Sequence, residues 1–220
     1  NNLHIVNSMS SILSKLDENR NGIDAIIAQG KSMSNKEVGL VYAGYNDGAM
    51  YRSNGKNETP KDGYDPRARD WYKLAKEKNG IIFTDPYISS SLKQMVISFV
   101  APIKDAGVAA TNVSIEELSK EIMSISKTDY SYAFVADKDG KIIIHPDKNI
   151  INTAPELTKK LIERYKAKDF DENGLILYKN LKGEDLYADF IELNDRGWLA
   201  ISAMQKDVFT SNTMPLLKIQ

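Results

Sequence analysis

Residues 64–72 read Tyr-Asp-Pro-Arg-Ala-Arg-Asp-Trp-Tyr and carry the densest chemistry in the chain. The proline favours a turn before a helix, because its ring presets the backbone angle of a first helical residue. Arginine presents a fork of donors that binds a carboxylate at two points, and aromatic rings offer faces to apolar or cationic groups. The stretch predicts a pocket for a small anion or zwitterion. One alternative stays open, in which Trp71 packs in a core and the arginines pair with Asp65 and Asp70.

The sequence on the N-terminal side of this stretch predicts a long helix and then a hairpin. Residues 6–27 repeat apolar side chains at steps of three and four, with Arg20 as the one polar interruption, which predicts a single amphipathic helix. This helix either packs on the fold or serves signalling and dimerisation. Residues 38–45 and 49–53 flank Asn46-Asp47-Gly48, a strand, turn and strand pattern that is typical of a hairpin.

The sequence after Lys36 predicts two modules of similar texture. We expect each to combine strands and helices in an α+β fold, with the second starting near residue 128. The predicted helices of these modules are residues 68–78, 114–124 and 155–167. The predicted strands are residues 81–83, 94–102, 107–113, 130–136, 141–145, 174–180, 185–193 and 198–204.

Composition argues against several classes of function. A formal net charge of −1 over 220 residues gives no basic excess for nucleic acid. Without cysteine, and with His4 and His145 far apart in sequence, we expect no catalytic residue, no metal site, no cofactor and no enzymatic activity. The apolar runs are far shorter than the ~20 residues of a membrane helix. Because the chain starts at Asn1 without an initiating Met, we expect an excised piece whose membrane anchor lies outside it.

The order of these motifs is similar to that of one sensory family. Residues 64–72, then Thr84-Asp85-Pro86-Tyr87, then residues 96–102 and 107–118, resemble the double Cache (tandem PAS-like) periplasmic sensory domain of bacterial methyl-accepting chemotaxis receptors. Residues 133–141 with His145-Pro146, and Gly197-Trp198, are similar to the membrane-proximal module of that family. The resemblance implies an α+β fold with a long N-terminal helix (1–35), a distal ligand-binding module (36–127) and a proximal module (128–220). Each module would be a mixed, mostly antiparallel sheet with flanking helices.

The resemblance also implies a location and a set of site residues. The chain would be the periplasmic domain of an inner-membrane receptor, dimeric through the N-terminal helix in the full-length protein. A small-molecule ligand would bind in the distal module. In amino-acid-sensing members the ligand carboxylate is held by an Arg two residues before a Trp, by that Trp and by nearby tyrosines. The matching positions here are Arg69, Trp71, Tyr64, Tyr72 and Tyr87.

The chain departs from that pattern at two positions. Where amino-acid-sensing members hold the ligand ammonium with two aspartates, this chain has Ser89 and Asn112, both neutral. A buried ammonium without a carboxylate partner recovers only part of its lost solvation. We therefore expect an organic acid or another small polar ligand, or a periplasmic binding protein that presents one. The residues leave open whether the output belongs to a chemoreceptor, a histidine kinase or a cyclic-dinucleotide enzyme. They also leave open a protein-interaction module whose degenerate pocket binds nothing small.

Overall fold

The chain divides into two units. The computed structural model describes residues 2–34, 38–125, 131–193 and 197–210. The first unit is Asn1–Glu117 and the second is Leu118–Gln220. The boundary predicted from the sequence, between residues 127 and 128, lies outside the described residues and stays a prediction.

The predicted single helix over residues 6–27 is instead two helices, α1 (Asn2–Leu13) and α2 (Ile23–Ser32). Between them Asp17 accepts hydrogen bonds from the backbone N–H and the side-chain amide of Asn21, at 3.2 and 2.9 Å. Arg20 and Gly22 have φ values of 54° and 83°, in the left-handed region that ends a helix. The apolar spacing is helical within each segment, but the polar turn residues decide the break. Among the described residues, no helix is long and apolar enough to cross a membrane.

The first unit is built on one antiparallel sheet. Its strands are β1 (Val38–Tyr45), β2 (Met50–Arg52), β3 (Ile82–Phe83), β4 (Tyr87–Ile88), β5 (Met95–Ile103) and β6 (Gly107–Ser114). The spatial order is β2-β1-β6-β5-β3, and β4 also pairs with β5. The predicted hairpin is confirmed, with Gly48 at φ 90° in the turn. The two-residue strand β4 was not predicted, because it is too short to show an alternating pattern.

Alternation along β1 gives its sheet two different faces. Val41 points towards α2, where a Cβ added to Gly30 would lie 3.2 Å from Val41 Cγ1. Leu40 and Tyr42 point the other way, into a buried cluster with Trp71 from helix α3 (Asp70–Lys78). Successive strand residues face opposite sides, so this arrangement follows from the period of two. The face shared with α3 also carries the cavity described below.

The second unit repeats the antiparallel plan. Its strands are β7 (Ser131–Ala136), β8 (Ile142–Ile144), β9 (Ile176–Lys179), β10 (Asp185–Glu192) and β11 (Leu199–Gln205), in the order β8-β7-β11-β10-β9. Its helix α5 is Glu156–Lys166, and α4 (Ile115–Ile125) runs from the first unit into the second. Every described strand pair in both units is antiparallel. The expected α+β fold with two mostly antiparallel modules is therefore confirmed.

Candidate functional site: a cavity in the first unit

A cavity of about 230 Å³ opens on the α3 face of the first sheet. Its walls come from β1, β2, β6, the segment that leads into α3 and the loop after β4. Six of the seven site residues predicted from the sequence line it, and Tyr72 does not. The lining residues are Leu40, Tyr42, Met50, Arg52, Tyr64, Ala68, Arg69, Asp70, Trp71, Tyr87, Ile88, Ser89, Ser90, Ser91 and Asn112.

Local chain geometry turns Arg69 and Trp71 towards this cavity. Residues Pro66–Ala68 form one 3-10 turn, which Asp65 caps by accepting the N–H of Arg67 at 2.9 Å. Arg69 is extended (φ −89°, ψ 144°), and α3 begins at the next residue. The Trp71 ring then meets the Tyr42 ring edge to face, with 5.0 Å between centroids. The proline-started turn predicted from the sequence therefore positions the site.

The two arginines of this segment have different environments. Arg67 is exposed and pairs with Asp65 at 2.7 Å, as the alternative sequence interpretation expected. Arg69 does not pair in this way, since its buried Nε has no hydrogen-bond partner among the described residues. Its guanidinium carbon lies 4.6 Å from the centre of the Tyr64 ring. Of these two arginines, Arg69 is thus the one with an unpaired buried donor.

A second arginine, Arg52, belongs to the cavity and was missed by the sequence analysis. It is 3 % exposed, and its guanidinium carbon lies 4.4 Å from the centre of the same Tyr64 ring. Its Nη1 pairs with Glu58 at 2.5 Å and bonds the carbonyl of Lys56, while Nε and Nη2 have no partner in the described structure. The sequence signal for Arg52 is alternation along β2, because residues two apart lie on the same face of a strand. Met50 is apolar and predicts a buried face, and both Met50 and Arg52 are buried on it.

A buried hydroxyl cluster forms the floor beside Tyr87. Ser98 Oγ lies 2.8 Å from the hydroxyl of Tyr42 and 2.7 Å from that of Tyr87. Burial raises the pKa of both tyrosines above the usual value, so both hydroxyls stay protonated at neutral pH. The cluster is therefore uncharged. It fixes the Tyr87 ring, and Tyr42 and Ser98 were not predicted as site residues.

The two neutral positions noted in the sequence are both buried in the cavity wall. Asn112 is 2 % exposed, and its Oδ1 accepts the N–H of Leu40 at 2.8 Å. A backbone N–H needs an acceptor, so the amide nitrogen of Asn112 is the end left for the cavity. Ser89 Oγ accepts the N–H of Leu92 at 3.2 Å within its own turn. Neither residue offers the ligand a carboxylate.

Tyr72, predicted as a ligand contact, lies elsewhere. Its hydroxyl donates to Asn46 Oδ1 at 2.6 Å, and burial raises its pKa. Tyr72 is turned about 100° from Trp71 around the helix axis, and its hydroxyl points to Asn46 instead of the cavity. Tyr72 packs edge to face on Trp71 at 5.6 Å and supports the site from behind. Its proposed role is therefore support rather than ligand contact.

The unpaired donors of the cavity are suited to binding an anion. Its buried polar groups that lack a partner are arginine donors, and Asp70 is the one carboxylate among its lining residues. No group of three or more metal-ligating side chains occurs in the part of the chain that the structure describes. The second unit also has a cavity, of about 700 Å³, with a mainly apolar and aromatic wall that includes Phe134 and Tyr178. None of the unpaired buried side-chain atoms found in the described residues belongs to that cavity.

Comparison with known proteins identifies the family. The sequence matches the family model for the Cache domain, dCache_1, over residues 3–213. The chain belongs to the Cache domain family. This match confirms the resemblance inferred from residues 64–72 and covers both units.

Relatives of this Cache domain are chemotaxis proteins. Methyl-accepting chemotaxis protein PscA of Pseudomonas syringae pathovar tomato is 40 % identical over 131 residues, which are 56 % of this chain and 20 % of that protein. Methyl-accepting chemotaxis protein PctB of Pseudomonas aeruginosa is 26 % identical over 193 residues, which are 82 % of this chain and 30 % of that protein. The chain thus spans less than a third of the length of either relative.

Solved structures with the same fold are chemoreceptor ligand-binding domains. The PctB domain of Pseudomonas aeruginosa in complex with L-Arg superposes with a TM-score of 0.75 at 22 % identity and covers 99 % of this chain and 85 % of that one. The CtaA domain of Pseudomonas fluorescens with L-serine has a TM-score of 0.71 at 22 % identity, covering 93 % and 88 %. The PctC domain of Pseudomonas aeruginosa with GABA has a TM-score of 0.69 at 23 % identity, covering 93 % and 88 %. At these identities the likeness establishes the shared fold.

Proposed function

We propose that this Cache domain is the extracytoplasmic ligand-sensing part of a transmembrane chemoreceptor. Its first-unit cavity binds a small carboxylate-bearing or otherwise polar molecule that is not a standard α-amino acid. The names of the relatives support the receptor class. Periplasmic placement and dimerisation through the N-terminal helices belong to the same proposal. The carrying observation is the unpaired, buried Nε of Arg69 at the cavity wall.

An unpaired buried donor favours an anionic ligand on energetic grounds. A buried donor that has lost water and gained no partner costs roughly 1–3 kcal/mol, more for a charged group. A ligand carboxylate removes this cost and forms a charge-assisted hydrogen bond with the arginine. The Tyr64 ring holds the Arg69 guanidinium in place by a cation–π contact. Arg69 is thus preorganised for a carboxylate.

The opposite wall argues against an α-ammonium group. An ammonium donates hydrogen bonds and needs acceptors. Asn112 and Ser89 are neutral, and each oxygen already accepts one backbone N–H, which leaves at most one lone pair on each for an ammonium. The lining carboxylate of Asp70 is exposed to solvent, where an ion pair contributes about 0–1 kcal/mol. The L-Arg, L-serine and GABA carried by structurally similar domains all have an ammonium group, so we expect a different ligand class here.

Signalling requires that the ligand bind two conformations with different affinity. A ligand that binds both equally shifts no equilibrium, whatever its affinity. The segment of residues 64–72 contributes cavity residues and also leads into α3, so a ligand held by Arg69 and Trp71 contacts the start of this helix. We propose that ligand binding stabilises one position of this segment against the sheet.

Calorimetric titration of the 220-residue chain tests the proposed function. The panel contains formate, acetate, butyrate, succinate, L-alanine and L-serine. We expect binding of at least one organic acid, lost in Arg69→Ala and retained in Arg67→Ala, whose arginine is exposed and paired with Asp65. Loss of a single charged hydrogen bond of 1.5–3 kcal/mol corresponds to roughly 10- to 150-fold in Kd. Equal binding by the wild type and Arg69→Ala, or binding of the amino acids alone, would contradict the proposal.

A further inference from the structure

We infer that the cavity is a two-pole site for a short dicarboxylate, in which Arg69 holds one carboxylate and Arg52, with the amide nitrogen of Asn112, holds the other. The inference rests on the proposed function, because it names the ligand class of the same site. Its new element is Arg52, which lies on β2 outside the segment of residues 64–72. Three observations carry it.

The first observation is an unused edge of a buried guanidinium. Nε and Nη2 of Arg52 form the side edge of the fork, and both lack a hydrogen-bond partner within the described structure. The bond between Nη1 and Glu58 occupies the remaining nitrogen and holds the group in place. Two parallel N–H donors match the two oxygens of a carboxylate, whereas a neutral carbonyl would satisfy only one of them. The free edge therefore fits a carboxylate better than a neutral acceptor.

The second observation is the spacing of the two poles. The guanidinium carbons of Arg52 and Arg69 lie 4.4 and 4.6 Å from the centre of the Tyr64 ring, so they are at most 9.0 Å apart. The carboxyl carbons of a four-carbon diacid are separated by roughly 4 Å, the reach of three C–C bonds of about 1.5 Å. Each carboxyl carbon sits roughly 4 Å from the guanidinium carbon that binds it, given N–O distances of about 2.8 Å. A bent arrangement of such a diacid spans the two arginines.

The third observation is the size and polarity of the cavity. A volume of about 230 Å³ holds roughly eight water-sized groups at about 30 Å³ each, and a four-carbon diacid has eight non-hydrogen atoms. The amide nitrogen of Asn112 adds a donor to the wall, since its oxygen is taken by Leu40. A ligand with acceptors at both ends thus matches the donors on this wall.

Two carboxylates near the site repel a dianion, and neither reverses the preference of the cavity for an anionic ligand. Glu58 pairs with the other edge of Arg52, and its side chain is 36 % exposed, so water screens its charge. Asp70 is exposed where it lines the cavity. Both charges are thus reached by water, whereas the unpaired nitrogens of Arg52 and Arg69 are buried. Because water does not reach these nitrogens in this structure, a ligand contacts them after a small shift of the side chains, and the charge-assisted bonds then outweigh the two screened carboxylates.

Titration of the wild-type chain with succinate and with butyrate tests the inference, because the two acids share a four-carbon chain and differ in one carboxylate. We expect succinate to bind at least tenfold more tightly than butyrate. In Arg52→Gln we expect the Kd for succinate to rise 10- to 100-fold and that for butyrate to change less than threefold. Arg52→Lys keeps the charge but loses the paired Nε and Nη2 donors. This variant should also lose most of the preference for succinate over butyrate. Arg67→Gln is the matched control and should retain it.

The outcomes separate this inference from the proposed function. If succinate and butyrate bind equally and both depend on Arg69, the dicarboxylate site is refuted and the carboxylate sensor stands. If Arg52→Gln and Arg52→Lys weaken both acids by the same factor while thermal unfolding shows intact folds, Arg52 has no role at the second pole and the inference is overturned. If no acid binds the wild type, the dicarboxylate inference fails, and so does the proposal that the cavity binds a carboxylate.

Discussion

Asn112→Asp is expected to convert the cavity into a site that accepts α-amino acids. The wild-type side chain is 2 % exposed, and its Oδ1 accepts the N–H of Leu40 at 2.8 Å. An aspartate keeps this bond with one oxygen and replaces the amide nitrogen with a second oxygen facing the cavity. The change therefore exchanges a donor for a charged acceptor with almost no change of shape.

The magnitude follows from what the new carboxylate gains and loses. Without ligand, a buried carboxylate oxygen lacks a partner, and we expect the free energy of unfolding to fall by about 1–3 kcal/mol. With L-alanine or L-serine, the ammonium forms a charge-assisted hydrogen bond of about 1.5–3 kcal/mol with the aspartate. Affinity for these amino acids should rise roughly 10- to 150-fold. Succinate should bind more weakly, because the new carboxylate repels it.

Calorimetric titration and urea unfolding measure these two effects. Asn54→Asp is the matched control, since Asn54 also accepts a backbone N–H through Oδ1, from Lys56 at 3.2 Å, but is exposed and outside the cavity. Its stability should stay within about 0.5 kcal/mol and its ligand affinities unchanged. Folded Asn112→Asp that gains no affinity for amino acids would refute the reasoning that the neutral wall excludes the ammonium.

Three further changes probe the frame of the site. Ser98→Ala removes the hydroxyl that joins two buried tyrosine hydroxyls and should lower the free energy of unfolding by about 1–3 kcal/mol in urea. Gly44→Ala places a Cβ 2.6 Å from Pro66 Cβ, and this overpacking should cost about 1–3 kcal/mol and weaken ligand binding. Asp62 accepts the backbone N–H and hydroxyl of Thr59, each at 2.8 Å, and these bonds lower its pKa below 3.8. The stabilisation by Asp62 is therefore fully present above pH ~4 and is lost as pH falls through its lowered folded-state pKa. Asp62→Asn should therefore reduce the decrease in the free energy of unfolding at acid pH.

Each of these changes has its own control. Ser90→Ala, at an exposed serine, should leave the free energy of unfolding nearly unchanged. A loss equal to that of Ser98→Ala would show that the hydroxyl cluster does not stabilise the fold. At Gly80 the nearest atom to an added Cβ is the Lys78 carbonyl oxygen at 3.6 Å, so Gly80→Ala should show no packing cost. The free energies of unfolding of the Asp62→Asn and wild-type chains should differ more at pH 6 than at pH 2.5. The same difference at both pH values would contradict the argument that the pKa of Asp62 is lowered in the folded state.

The local sequence predicted the parts of the site that lie close together in the chain. Turn residues and alternation placed the β1–β2 hairpin, and the run at residues 64–72 predicted a turn, a helix and an anion-binding arginine. One local prediction was wrong, the helix over residues 6–27, because apolar spacing outweighed the turn residues near Arg20 and Gly22. The signals for this break, Asp17, Arg20 and Gly22, are present in the sequence.

Only the tertiary structure decided which side chains share the cavity. The sequence by itself determined two antiparallel α+β modules and the chemistry of residues 64–72, because backbone propensity and side-chain period act over a few residues. It could not tell that Arg67 is paired and Arg69 is not, nor that Arg52 from β2 lies against the same Tyr64 ring. These facts depend on which strand and loop meet across the fold. Pairing over long chain separations is set by the packing of the whole unit, and no short stretch of residues contains it.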